Sequence, residues 1–159
     1  MINCSMPMNS KILFITFTIS ALSLSVLAVS QTINSNFILE RTMCGPSGTD
    51  SVETVRYYDG LGRCVQTVAV SASPQKKDIV SAVELDGDGR TVRSWNATPI
   101  GSGGEYIPPS AIHDYATSFY NDAAPYASTT YEQSAIGRTL SETGPGAVWH
   151  SSGRSRKVK

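Results

Sequence analysis

Three short segments set an acidic residue a few positions ahead of a Gly-Arg pair. They are Tyr58-Asp59-Gly60-Leu61-Gly62-Arg63, Leu85-Asp86-Gly87-Asp88-Gly89-Arg90, and Tyr131-Glu132 running on to Gly137-Arg138. The chemistry these residue types support is structural. The carboxylates of Asp59, Asp86 and Glu132 can accept hydrogen bonds from turn amides. Gly62, Gly89 and Gly137 can supply the positive φ of a tight turn. Arg63, Arg90 and Arg138 can pair with the carboxylate or lie across a neighbouring aromatic ring. The second segment departs from the others by placing Leu85 at the Tyr position. The third places Glu132 at the Asp position and lengthens the turn by two residues.

Other candidate chemistry is thin. Glu84, Asp86 and Asp88 with Gly89 match positions 1, 3, 5 and 6 of a calcium loop, but position 12 is Trp95, which cannot ligate calcium. His113 and His150 are far apart in the chain and no nucleophile motif accompanies them; GxSxG, HExxH and Walker patterns are absent from the sequence. The expectation is a chain without enzymatic activity, metal or cofactor. Its 13 basic and 13 acidic residues balance to a net charge of zero, with pI about 6.7, so charge provides no case for nucleic acid or an acidic membrane as partner.

The elements that must position these segments read as short strands. Asn36 to Met43, Ser51 to Asp59, Arg63 to Val70, Ile79 to Leu85, Arg90 to Trp95, Tyr126 to Gln133 and Arg138 to Glu142 are β-prone runs parted by clusters of Gly, Pro, Ser and Asp. In the second run Glu53, Val55 and Tyr57 share one face while Val52, Thr54, Arg56 and Tyr58 share the other. The interruption from Asn96 to Pro109 is loop-like. Ser110 to about Asn121 then predicts a short helix with Ile112, Tyr115, Ala116 and Phe119 as its packing stripe. The fold class expected is mainly β: an antiparallel meander of hairpins with one short helix in the middle, the three Gly-Arg turns forming an internal repeat. A meander sets Cys44 and Cys64 at opposite ends of one strand, too far apart for a disulfide.

The chain divides into residues 1–30, 31–150 and 151–159. Lys11 precedes an uncharged run from Ile12 to Val29 that ends in Ala28-Val29-Ser30, the pattern of a cleavable signal peptide. Export to the periplasm, cell surface or medium follows, with membrane contact only through an uncleaved leader. Residues 31–150 form the β domain. Arg154, Arg156, Lys157 and Lys159 make a basic tail, expected to be frayed and solvated.

With these segments in place, the chain resembles the Rhs/YD-repeat proteins of bacteria. Tyr58-Asp59-Gly60-Leu61-Gly62-Arg63 is a near-ideal copy of their YDxxGR core. The ordered series YYDGLGR, SASPQKKD, RSW with a following Pro, SFYND and GPGxxWH is similar to a domain of unknown function that precedes the repeat array in large secreted Rhs proteins. The resemblance implies a non-enzymatic structural domain that contributes strands to the start of a β shell. It also implies following YD repeats as partner, and a truncated or stand-alone form that lacks the toxin module. A small exported domain that binds carbohydrate or a surface through exposed Tyr and Trp is the alternative expectation.

Overall fold

The computed structural model describes residues 35–45 and 50–158; the expected signal peptide lies outside the described residues. Nine strands form one antiparallel sheet: β1 (Asn36–Cys44), β2 (Asp50–Tyr58), β3 (Cys64–Ala69), β4 (Ile79–Leu85), β5 (Thr91–Trp95), β6 (Thr98–Pro99), β7 (Tyr126–Tyr131), β8 (Thr139–Thr143) and β9 (Arg156–Lys157). The strand order is β1-β2-β3-β4-β5-β7-β8-β9, with β6 pairing the start of β4. The fold is therefore the mainly β meander that the alternation of apolar residues and glycine turns predicts. Within the hairpins β2–β3, β4–β5 and β7–β8 the strands pair antiparallel because their short turns leave no room for a crossover.

One face of the sheet is covered, and the cover decides where the core lies. Val55 and Tyr57 of β2, Val68 of β3, Val80 and Ala82 of β4 and Trp95 of β5 are buried against Ile100, Ile112 and Ala116. The long loop after β6 is pinned by buried polar groups rather than by apolar contact alone. Asp78 accepts the backbone N–H of Ser71 (2.8 Å) and of Gly104 (2.6 Å). The Tyr57 hydroxyl donates to the Gly104 carbonyl (2.6 Å). Gln66 bonds both backbone groups of Ile107, at 3.1 and 3.0 Å. Such hydrogen bonds offset the cost of burying these groups and tie the covering loop to the sheet.

Helix α1 (Pro109–Tyr120) starts at Pro109 in the first helical turn and stops at Asn121, whose φ of 49° is left-handed. It packs on β4 and β6. The four-residue stripe expected for it is narrower in the structure: Ile112 and Ala116 are buried, while Tyr115 and Phe119 are 56% and 58% exposed. The helix meets the sheet along a single i, i+4 ridge, so the neighbouring ridge faces outward.

Two further differences arise at the C-terminal end. Residues Ala147–Ser151 form a second short helix, α2. The tail is not frayed throughout: Arg156–Lys157 pair with β8 as β9, and the Val158 N–H donates to the Leu140 carbonyl at 3.1 Å. The unpaired edge of β8 supplies the reason, since backbone groups there are satisfied by any strand that arrives in register. Arg156 also lies 3.5 Å from Glu142, and the Arg154 guanidinium stands 5.8 Å from the Trp149 ring centre.

Cys44 pairs opposite Asp50 at one end of β2 and Cys64 opposite Tyr58 at the other, and both thiols are free. The strand between them separates the two as the meander requires.

Candidate functional site

The three Gly-Arg segments form the three turns of hairpins β2–β3, β4–β5 and β7–β8, and the first two are built almost atom for atom alike. In the first, one Asp59 carboxylate oxygen accepts the N–H groups of Leu61 and Arg63, both at 2.9 Å, and the other accepts Arg63 Nε at 2.6 Å. In the second, Asp86 accepts Asp88 N–H at 3.0 Å, Arg90 N–H at 2.8 Å and Arg90 Nε at 2.7 Å. The backbone closes the same way in both. The acid's N–H donates to the arginine carbonyl at 2.9 Å, and the glycine N–H donates to the acid's carbonyl. Gly62 and Gly89 carry φ of 78° and 82°. Their turn amides hold the carboxyls of Asp59 and Asp86 below the usual carboxylate range; the backbone N–H of Arg63 or Arg90 is the largest cause.

The third turn keeps the closure and shares out the rest. Glu132 N–H donates to the Arg138 carbonyl at 2.9 Å, and Gly137 has φ of 60°. Because the turn is two residues longer, Ser134 takes over part of the acid's work: its carbonyl accepts Gly137 N–H and its hydroxyl accepts Ile136 N–H. The Ser134 hydroxyl donates to Glu132, which also accepts Arg138 N–H and faces Arg138 Nε, both at 3.4 Å.

A feature that inspection of the sequence missed repeats as well. In each hairpin the register slips just before the turn, at Tyr57/Tyr58, Glu84/Leu85 and Thr130/Tyr131, leaving Val65, Val92 and Leu140 as the unpaired residue of a β-bulge. The signal was present, since all three are apolar and stand two places after the arginine.

The turns also touch one another in series. The Arg63 guanidinium lies against the second turn so closely that a Cβ at Gly89 would overlap it. The Arg90 guanidinium lies within 2.6 Å of where a Cβ at Gly137 would sit, and 4.7 Å above the Tyr131 ring centre. Tyr131 is fixed by its hydroxyl, which donates to the Thr91 carbonyl at 3.0 Å. Arginine of one turn thus rests on glycine of the next, and the sequence segments of the repeat are joined into one row.

The remaining candidates are engaged in packing. Glu84 of the calcium-like segment accepts Arg93 and the Trp95 indole N–H, both at 2.8 Å; among the described residues no group of three or more His, Cys, Asp or Glu is arranged to hold a metal ion. The two histidines end a stack instead of meeting: His113 stands edge-on to Trp95 (5.5 Å), Trp95 contacts Tyr126 (4.8 Å), and Tyr126 contacts His150 (5.0 Å). Trp95 is buried, Tyr115 and Trp149 are exposed, and the exposed Phe119 and Tyr120 rings stand at 87° to each other. A groove of about 770 Å³ opens between β2–β5 and the covering loop, and among its polar side chains Asp59, Gln66 and Glu84 are bonded within the protein. Among the described residues no helix is long and apolar enough to cross a membrane.

In comparison with known proteins, a family described as a domain of unknown function (DUF6443) matches residues 31–159. No curated protein and no solved structure matches.

Proposed function

We propose, for a chain that belongs to the DUF6443 family across residues 31–159, a non-enzymatic structural role: the first hairpins of an Rhs/YD-repeat shell on a secreted or cell-surface protein. The supporting observation is the row of three turns in which the first two share one hydrogen-bonding plan and Arg63 and Arg90 each rest on the turn that follows. A ligand or substrate site would need polar groups left open to solvent or aimed into a cavity. Here Asp59, Asp86, Arg63 and Arg90 serve each other and the backbone. Covering loop 100–107 and helix α1 bury one face of the first two hairpins and give the start of the array an apolar core of its own. Export rests on the Lys11-led apolar run and Ala28-Val29-Ser30.

A chimera tests the structural role. A run of YD-type hairpins is expressed with and without residues 31–159 at its N-terminus. The joined protein is expected to be soluble and resistant to protease, and the hairpins alone to aggregate. Equal resistance of the two would sink the reading. Export is tested separately by sequencing the N-terminus of secreted protein, which should begin near Gln31; recovery of the intact chain in the membrane fraction would reject cleavage.

A further inference from the structure

Two interfaces between successive hairpins follow one rule of register. Extended from Gln66↔Ala82, the β3–β4 pairing places Arg63 opposite Leu85. Extended from Arg93↔Ser128, the β5–β7 pairing places Arg90 opposite Tyr131, the ring its guanidinium covers. The β8–β9 pairing, Glu142↔Arg156 and Ser141↔Lys157, carried three positions along, places Arg138 opposite the first position after Lys159. Arg138 is the equivalent arginine of the third turn. Its side chain is 72% exposed, whereas that of Arg90, which has a following turn to rest on, is 27% exposed.

We propose that the edge formed by β8, β9 and Arg138 is a register-specific dock for one further hairpin continuous with β9. The first residue of that hairpin after Lys159 is aromatic and lies beneath the Arg138 guanidinium, and its own turn offers Arg138 a glycine without a Cβ. Continuity with the two interfaces already present selects this occupant: both seat an arginine on the next turn's glycine, and the one whose opposite residue is a ring adds a cation–π contact. The proposal rests on the shell-starting role above and assigns that role a partner sequence and a phase.

The test grafts the ten residues Tyr58 to Thr67, with serine in place of the cysteine, directly after Lys159 of the 159-residue chain. A second graft carries one extra serine at the junction, which turns every grafted side chain to the opposite face. The in-phase graft is expected to raise Tm by about 5 °C and to slow amide exchange along β9, and the out-of-phase graft to do neither. R138A should remove most of the rise in the grafted protein while leaving Tm of the ungrafted chain nearly unchanged, and R138K should recover part of it. Equal rises from both grafts, or a rise untouched by R138A, would overturn the register rule and leave the shell-starting role standing. No rise and no exchange protection from either graft would overturn both.

Discussion

Arg90 and Arg138 occupy equivalent places in successive turns and have different surroundings. Arg90 is held by Asp86 at 2.7 Å and by Asp88 at 2.9 Å, and it lies over Tyr131. Hydrogen bonding to Asp86 raises its pKa further above an already high value. Arg138 faces Glu132 at 3.4 Å and stands mostly in solvent. The turns' own sequences account for part of this, since Asp is the right length for a three-residue turn and Glu spans a longer one. The larger part comes from the neighbour. An arginine in this motif is ordered by the hairpin that follows it, because a guanidinium flanked by a ring and a bare glycine loses little solvation and gains dispersion contact.

The largest predicted effect breaks that contact from the receiving side. Gly89→Ala introduces a Cβ into the Arg63 guanidinium at a φ of 82°, whereas Gly62, with φ of 78°, has open space around it. Urea unfolding should show a loss of about 1–2 kcal/mol for both variants from the left-handed φ, and about 0.5 kcal/mol more for Gly89→Ala because the Arg63 guanidinium must swing aside. Equal losses would mean that Arg63 contributes nothing to the second turn.

Next in size, Tyr131→Ala removes the ring under Arg90 and should cost about 1–2 kcal/mol. Tyr131→Phe keeps the ring and loses the bond to Thr91, and should cost about 0.5–1 kcal/mol. If the two variants were equally destabilised, the ring contact would not be what holds Arg90.

A third comparison sets the two tight turns against the long one in acid. The folded-state pKa values of Asp59 and Asp86 are lowered, so their stabilisation is fully present above the unfolded carboxylate range, near pH 3.8. It is lost as pH falls through the lowered folded values. The doubly substituted Asp59→Asn, Asp86→Asn protein should therefore show a flatter fall in Tm below about pH 4 than the parent. An unchanged acid limb would show that these carboxyls are not the groups that titrate on unfolding.

The smallest effect is expected at the far edge. Arg156 and Glu142 are exposed and 3.5 Å apart, so Arg156→Ala should change stability by less than about 0.5 kcal/mol. A larger loss, measured by the same urea titration, would show that β9 is held by this ion pair rather than by its backbone pairing.

Much of this arrangement was legible beforehand for a physical reason. Alternation along Ser51 to Asp59 put Val55 and Tyr57 on one face, and both are buried; the glycines at 62, 89 and 137 marked turns because few other residues readily adopt the positive φ of 60° to 82° found there. Both signals are local. The helix stripe was only half right, because periodicity names every residue on a face and the width of the contact depends on what the helix lies against. Strand β6 was missed because two residues carry no period at all. The tail was misread because its composition, rich in Lys and Arg, says nothing about an open strand edge a few ångströms away.

What the sequence determined alone was the number of hairpins, the place and sign of their turns, and which carboxylate serves which arginine, since those partners lie within six positions of each other. Which turn each arginine rests on was decided only by tertiary structure. Arg63 meets Gly89, Arg90 meets Tyr131, and Gln66 meets Ile107 because the twist and register of a shared sheet bring them together. Register is a property of strand pairs, set by bulges and covering groups distant in the chain, and no single segment contains it.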